Sequence, residues 1–211
     1  MNNDNTNNIV INGKINTLII LDWDDTLFPT TWIMKKNVNL NDAKIRQKII
    51  NSSLLTELDN ILYLFLKKLQ EYGKIIIVTN ALPIWVKISS SILPKTAKLL
   101  KDIKIVSARK NYKQISNNIM DWKKLAFKNE VSREMTKNNI NNIISVGDAE
   151  YEYYALIDLY KTSKNTKILK SIKLMDDPSH EIILDQLKVL SNSIRDICIT
   201  KNHLDLKFKE H

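Results

Sequence analysis

The sequence predicts an α/β fold in which helices cover both faces of a parallel β-sheet. Short apolar runs rich in β-branched residues alternate along the chain with longer stretches whose apolar residues recur at helical spacing. Strands separated by helices need crossover connections, which make the strands parallel and place the helices on the sheet faces. Several apolar runs also stop directly at a polar side chain, as in sheets that bind ligands at their carboxyl ends. The expected architecture is a three-layer α/β/α sandwich.

Five strands and five main helices are predicted in alternation. The strands cover residues 17–21, 74–78, 103–106, 142–146 and 167–174. The helices cover residues 53–72, 83–100, 119–135, 151–159 and about 178–199. Ser53 is the predicted N-cap of the first of these helices, Gly73 is predicted to end it, and Pro94 to break the second. Asp177 and Pro178 are expected to start the last helix, because the fixed φ of proline suits the first helical turn.

The length of the chain, 211 residues, fits one domain. We expect residues 15–200 to form it, between a polar, asparagine-rich disordered tail at residues 1–14 and a C-terminal tail at residues 201–211. Residues 27–52 are the only stretch without a clear place in the alternation. These residues are too few for a second domain. They are a candidate for a minimal cap or flap inserted into the single domain.

Composition predicts a cytoplasmic protein that does not act at a membrane. Cys198 is the only cysteine, and the apolar runs are too short to cross a bilayer. The net charge of +9 favours an anionic partner. Nucleic acid is allowed but not favoured, because the lysines are spread along the chain without a dense basic block.

Polar side chains follow three of the predicted strands. Asp22 and Asp24 follow the first strand, Thr79 and Asn80 the second, and Asp148 the fourth. Buried carboxylates that converge need a compensating cation, and Mg²⁺ prefers oxygen ligands. Thr79 and Asn80 can donate hydrogen bonds to phosphate oxygens without adding charge. Taken alone, the aspartates fit an ordinary loop after a strand as well as they fit a binding site. The polar residues at three strand ends together favour a binding site.

Two further charged positions fit such a site. Lys123, with its neighbour Lys124, lies near the start of a predicted helix, where an ammonium could offset the charge of a carboxylate and a phosphoryl group. Glu152 follows Asp148 by four residues and could hold the water shell of a metal or favour the helix N-terminus. The sequence leaves open which lysine takes part and whether Glu152 contacts a metal.

The order Asp-x-Asp-x-Thr, strand-Thr-Asn, Lys and Gly-Asp-x-x-x-Glu resembles the phosphatase branch of the haloacid dehalogenase (HAD) superfamily, over about residues 18–174. The resemblance implies a Rossmann-like sheet without a large cap domain, with Asp22 as the nucleophile and Asp24 as the general acid and base. It also implies that Thr79 binds phosphate and that Lys123 neutralises the nucleophile and the phosphate. The implied Mg²⁺ ligands are Asp22, Asp148 and the backbone carbonyl of Asp24.

The run Asp-x-Asp-x-Thr-Leu-Phe-Pro at residues 22–29 resembles the small magnesium-dependent phosphatases that lack a large cap. Halide-displacing members lack the second aspartate, so Asp24 argues for a phosphatase. Members built in this way often accept bulky substrates, and the expected partner is a phosphorylated small molecule or phosphoprotein. Two alternatives stay open: a non-catalytic module that binds phosphate or protein, and a phosphatase that processes nucleic-acid ends.

Overall fold

The computed structural model describes residues 17–138, 140–162 and 167–209. Within these residues, six strands form one parallel sheet with the spatial order β3-β2-β1-β4-β5-β6. The strands are β1 (Thr17–Leu21), β2 (Lys74–Thr79), β3 (Lys104–Ser107), β4 (Asn142–Gly147), β5 (Ile168–Lys173) and β6 (Leu204–Lys207). This order is that of a doubly wound α/β sheet, and it reverses direction between β1 and β4. The predicted Rossmann-like α/β class is therefore confirmed.

Nine α-helices in the described residues connect and cover these strands. They are α1 (Thr30–Lys35), α2 (Ala43–Asn51), α3 (Thr56–Tyr72), α4 (Pro83–Ser90), α5 (Pro94–Leu99), α6 (Ala108–Tyr112), α7 (Ile119–Asn138), α8 (Glu150–Thr162) and α9 (His180–Ile199). A 3₁₀ turn, Leu100–Asp102, leads into β3. No helix in the described ranges is both long enough and apolar enough to span a bilayer.

The core lies in two layers, one on each face of the sheet, because successive side chains of a strand point to opposite faces. In β1, Ile19 and Leu21 belong to the layer that contains α3 and α9, whereas Leu18 and Ile20 belong to the layer that contains α7 and α8. All four side chains are buried. The central strand is thus covered on both faces, and the polar residues that follow it can reach only the carboxyl edge.

The structure corrects the predictions at several boundaries. Ser53 is not the N-cap of α3, which begins at Thr56 after Leu55, and Ser53 instead has a φ of 54°. The last helix begins at His180, with Ser179 as the N-cap that accepts a hydrogen bond from the backbone of Ile182. Ser53 in one case, and Asp177 with Pro178 in the other, thus lie in the turns that precede the two helices.

Two predicted segments also differ from what the sequence indicates. The prediction of a C-terminal tail is wrong at residues 204–207, which form β6 and pair with β5. The insert at residues 27–52 holds two short helices, α1 and α2. The predicted tail at residues 1–14 lies outside the described residues.

Candidate active site

Three predicted site residues meet where the strand order reverses. Asp22 directly follows β1, Asp148 directly follows β4, and Thr79 is the last residue of β2. Since β1 lies between β2 and β4, these side chains lie at one edge of three adjacent strands. The backbone N–H of Asp22 still donates to the carbonyl of Val146 at 3.0 Å, so the ladder holds Asp22 in place.

A tight loop after β1 fixes the next aspartates. The carbonyl of Trp23 accepts from the N–H groups of both Leu27 and Phe28, each at 3.0 Å. The rings of Trp23 and Phe28 are fully buried and stack with centroids 5.8 Å apart. Asp25 adopts a φ of 54°, a left-handed conformation that aspartate tolerates better than most residues. The loop therefore presents Asp24 from a rigid backbone.

Three donors among the described residues form hydrogen bonds to the carboxylate of Asp24. The donors are the hydroxyl of Thr30 at 2.5 Å, the indole N–H of Trp85 at 2.7 Å and the hydroxyl of Thr79 at 3.2 Å. Trp85 lies on α4, which follows β2, and Thr30 is the first residue of α1. The sequence analysis missed Thr30 and Trp85, because their approach to Asp24 depends on how the loops after β1 and β2 fold.

Helix α1 is joined to the aspartate loop at its first two residues. Besides the bond from Thr30 to Asp24, the hydroxyl and the N–H of Thr31 donate to the carboxylate of Asp25 at 2.5 and 2.9 Å. Burial raises the pKa of Asp25 against the opposing effect of these bonds. The start of the 27–52 insert is therefore part of the wall of the site.

Lys123, and not Lys124, reaches the strand ends. Its side chain, 1% exposed, extends from α7, and its Nζ lies 2.8 Å from Oδ1 of Asp22. The same ammonium donates to the carboxylate of Glu152. Burial opposes the charged form of Lys123, but Asp22 and Glu152 outweigh it and raise the pKa of the ammonium. Lys124 is one-third exposed and lies 3.7 Å from Asp121.

Asp148 is held by Thr26 of the aspartate loop. The hydroxyl of Thr26 donates to Oδ1 of Asp148 at 3.0 Å and accepts from its N–H at 3.0 Å. Burial, followed by the charge of Glu152, raises the pKa of Asp148 to about 7. Burial is also the main cause that raises the pKa of Asp22; Lys123 opposes it, and the neighbouring carboxylates add to it.

Lys173 is a second cation at this edge that the sequence analysis missed. It ends β5, is buried, and donates to the backbone carbonyl of Asp148 and to that of Leu174, at 3.1 Å for the latter. Its charge is paired with Asp176 at 2.6 Å. Lys173 therefore fixes the loop after β4 and leaves Lys123 as the ammonium that faces Asp22.

Thr79 and Asn80 occupy different environments. Thr79 is fully buried, and its hydroxyl contacts Asp24 and accepts from the N–H of Ala81 at 3.0 Å. Asn80 is half-buried, and its side-chain carbonyl oxygen has no hydrogen-bond partner among the described residues. The structure thus connects Thr79 directly to the aspartates and leaves the amide of Asn80 with capacity for another partner.

The electrostatics of the cluster fit a hard cation. Asp22, Asp148 and Glu152 can carry three negative charges, and Lys123 supplies one positive charge among them. Oε2 of Glu152 is buried without a hydrogen-bond partner among the described residues. Oxygen-only donors with surplus negative charge suit Mg²⁺. The described residues nevertheless contain no group of three or more Asp, Glu, His or Cys side chains arranged as a metal site.

Comparisons with known proteins add no relative: the chain matches no family model, no curated protein and no solved structure. The fold and the site therefore define only a class. The chain is a doubly wound α/β protein with a lysine-bridged cluster of carboxylates at the switch point of its sheet.

Proposed function

We propose that this chain is a Mg²⁺-dependent phosphomonoester hydrolase of the HAD-like type, with Asp22 as its nucleophile. The observation that carries the proposal is the position of Lys123, whose Nζ lies 2.8 Å from Asp22 at the point where the strand order reverses. A carboxylate can attack a phosphate dianion only if positive charge screens their repulsion. A buried lysine beside a strand-end aspartate meets that requirement.

In the first step, Asp22 attacks phosphorus in line with the leaving oxygen. An acyl-phosphate bond forms, and the bond from phosphorus to the leaving oxygen breaks. Asp24, protonated at this stage, gives its proton to that oxygen. The hydrogen bonds from Thr30 and Trp85 hold the carboxyl of Asp24 in one orientation for this transfer.

In the second step, Asp24 acts as a carboxylate and takes a proton from water. The resulting nucleophile attacks phosphorus, the acyl phosphate breaks, and inorganic phosphate leaves with Asp22 restored. Lys123 stays paired with the oxygen of Asp22 in both steps and stabilises the charge that accumulates there. The amide of Asn80 would donate to the non-reacting phosphate oxygens. The hydroxyl of Thr79 donates to Asp24 in this structure and would turn from Asp24 to phosphate when substrate binds.

The proposal of Mg²⁺ rests on the chemistry of the same residues. The carboxylates of Asp22 and Asp148, with the backbone carbonyl of Asp24, are the oxygens that would hold Mg²⁺. When bound, the ion would neutralise the phosphoryl charge and lower the elevated pKa values of Asp22 and Asp148. Only two side chains, Asp22 and Asp148, would then bind the ion, which suits an ion that keeps several waters.

The test is hydrolysis of p-nitrophenyl phosphate by the purified protein, with Mg²⁺ or with a chelator. We expect Mg²⁺-dependent turnover that falls about 10³-fold or more in Asp22→Asn. Asp121→Asn is the matched control, because this carboxylate is on α7 but pairs with Lys124. Acid-quenched wild type should carry a phosphate adduct on the peptide that contains Asp22. Full activity in Asp22→Asn refutes the proposal.

Oligonucleotides with a 3′- or 5′-phosphate form the second arm of the substrate panel, since the net charge of +9 favours anions. An end-processing enzyme would prefer them strongly over p-nitrophenyl phosphate and lose activity steeply as salt rises. A non-catalytic module would bind phosphoprotein without hydrolysing any member of the panel.

A further inference from the structure

The sheet ends in a strand whose outer side has no neighbour among the described residues. In the part of the chain that the structure describes, β6 is the last strand in the order and pairs only with β5. Asp205, Leu206 and Lys207 are exposed, and Leu206 is 37% exposed. An open strand edge presents unpaired backbone groups that can extend the sheet with another chain.

The pairing with β5 determines which backbone groups point outward. The N–H of Phe208 donates to the carbonyl of Lys173 at 2.9 Å, so the backbone groups of Phe208 face β5. Backbone groups alternate sides along a strand, so Leu204 and Leu206 also face β5, whereas Asp205 and Lys207 face outward. Any new strand must therefore form its hydrogen bonds with Asp205 and Lys207.

We infer that this edge is a homodimer interface, in which β6 pairs antiparallel with β6 of a second copy around Leu206. In that register Asp205 of each copy lies opposite Lys207 of the other, and both outward-facing backbone pairs exchange hydrogen bonds. Leu206 lies opposite Leu206, and Leu204 lies opposite Phe208. Opposite charges that face each other across strands stabilise the pair.

Neighbouring registers do not share this complementarity. A shift of two residues in one direction places Asp205 opposite Asp205, and a shift in the other direction places Lys207 opposite Lys207. Like charges directly opposite are destabilising. Lysine on an edge strand usually prevents pairing, but here the same lysine selects one register because Asp205 is two residues away. A shift by one residue would place inward-facing backbone groups opposite outward-facing ones.

Apolar surface next to β6 would be covered by the same contact. A cavity of about 290 Å³ lies between α8 and the β5–β6 end of the sheet, and its lining includes Tyr153, Leu156, Tyr160 and Leu204. Tyr160 is 60% exposed. A sheet that continues into a second copy places protein beside this cleft, which adds apolar area to a short strand pairing. The proposal is independent of the phosphatase activity.

The test is a charge swap followed by sedimentation velocity. We expect wild type at about 100 µM to sediment with twice the mass of the chain. Asp205→Lys and Lys207→Asp should each weaken the dimer about tenfold or more, because each substitution creates two pairs of like charges across the interface. Mixing the two variants should restore a dimer, since every pair across the interface is then opposite in charge. Both substitutions are at exposed positions, and circular dichroism checks the fold.

Cross-linking provides a second readout that does not depend on charge. The central pair has a Cα separation of about 4.5 Å in an antiparallel sheet, which lies within the range for a disulfide. Mild oxidation of Leu206→Cys should give a covalent dimer, whereas Lys201→Cys, which lies outside the strand, should not; Cys198 is buried in both. A monomeric wild type at about 100 µM overturns the proposal. So do charge variants that dimerise as well as wild type, or a mixture that stays monomeric.

Discussion

Gly147 and Glu152 approach so closely that no side chain fits at position 147. A Cβ atom built on Gly147 would lie 2.3 Å from Cγ of Glu152 and 2.6 Å from its Oε2. Gly147 ends β4, and Glu152 lies in the first turn of α8. Because position 147 has no side chain, Glu152 can pack against the end of β4 while its carboxylate pairs with Lys123. The glycine of the Gly-Asp motif thus makes room for the acidic residue of the same motif.

Gly147→Ala should displace Glu152 and destabilise the protein by about 1–3 kcal/mol, which is typical of overpacking a buried site. Urea denaturation measures the free energy of unfolding. The control is a double-mutant cycle with Glu152→Ala, which removes the atoms that the new methyl group would meet. If Gly147→Ala costs as much free energy in the Glu152→Ala background as in wild type, the contact is not the cause.

Lys123→Met should be far more harmful than Lys124→Met, although the residues are adjacent. Removing Lys123 leaves Asp22 and Glu152 buried without their cation, and losing one partner of a buried ion pair costs about 3–5 kcal/mol. Lys124 is partly exposed, and its loss should change stability by less than about 0.5 kcal/mol. Urea unfolding of both variants gives the comparison, and equal losses would contradict the assignment of Lys123.

The sequence predicted the site better than its surroundings. The carboxyl ends of parallel strands share one edge of the sheet, so Asp22, Thr79 and Asp148 could be placed together from the strand pattern alone. The order of the strands and the conformation of the tight loop at residues 22–28 could not be predicted in this way, because no residue type specifies that backbone geometry. Their functional roles remain a proposal that rests on this convergence.

The features that the sequence missed depend on three-dimensional contacts. Adjacent helix residues point about 100° apart, so choosing Lys123 over Lys124 requires knowing which face of α7 is buried. That face also buries Glu130 and Glu134, which hydrophobic patterning cannot anticipate. β6 is four residues long with two charges, and its strand character comes from pairing with β5.

Stability without metal should fall as pH rises from about 4 to about 7. The pKa of Asp148 is raised from 3.8 to about 7, so the folded state binds more protons than the unfolded state in this window. The slope of the unfolding free energy against pH is then negative, and Asp22, with its pKa also raised, contributes in the same direction. Thermal unfolding in a chelator, from pH 4 to 8, measures the slope.

Asp148→Asn is the control for that pH series, because it removes the group while keeping an acceptor for the hydroxyl of Thr26. The variant should show a smaller decrease of melting temperature between pH 4 and 7. Mg²⁺ should stabilise wild type more at pH 8 than at pH 5, since protons compete with the ion for the same carboxylates. An equal Mg²⁺ effect at both pH values would place the ion elsewhere.

Trp85→Phe should lower kcat and leave KM nearly unchanged. The substitution removes one of the three donors to Asp24 but keeps an aromatic ring against Phe28, whose centroid lies 6.2 Å from that of Trp85. A carboxyl that is less well oriented transfers its proton less efficiently, and we expect kcat to fall about tenfold. Trp32→Phe is the matched control, because Trp32 packs against His180 instead. An equal loss of kcat in both variants would mean that Trp85 acts through packing and not through its hydrogen bond to Asp24.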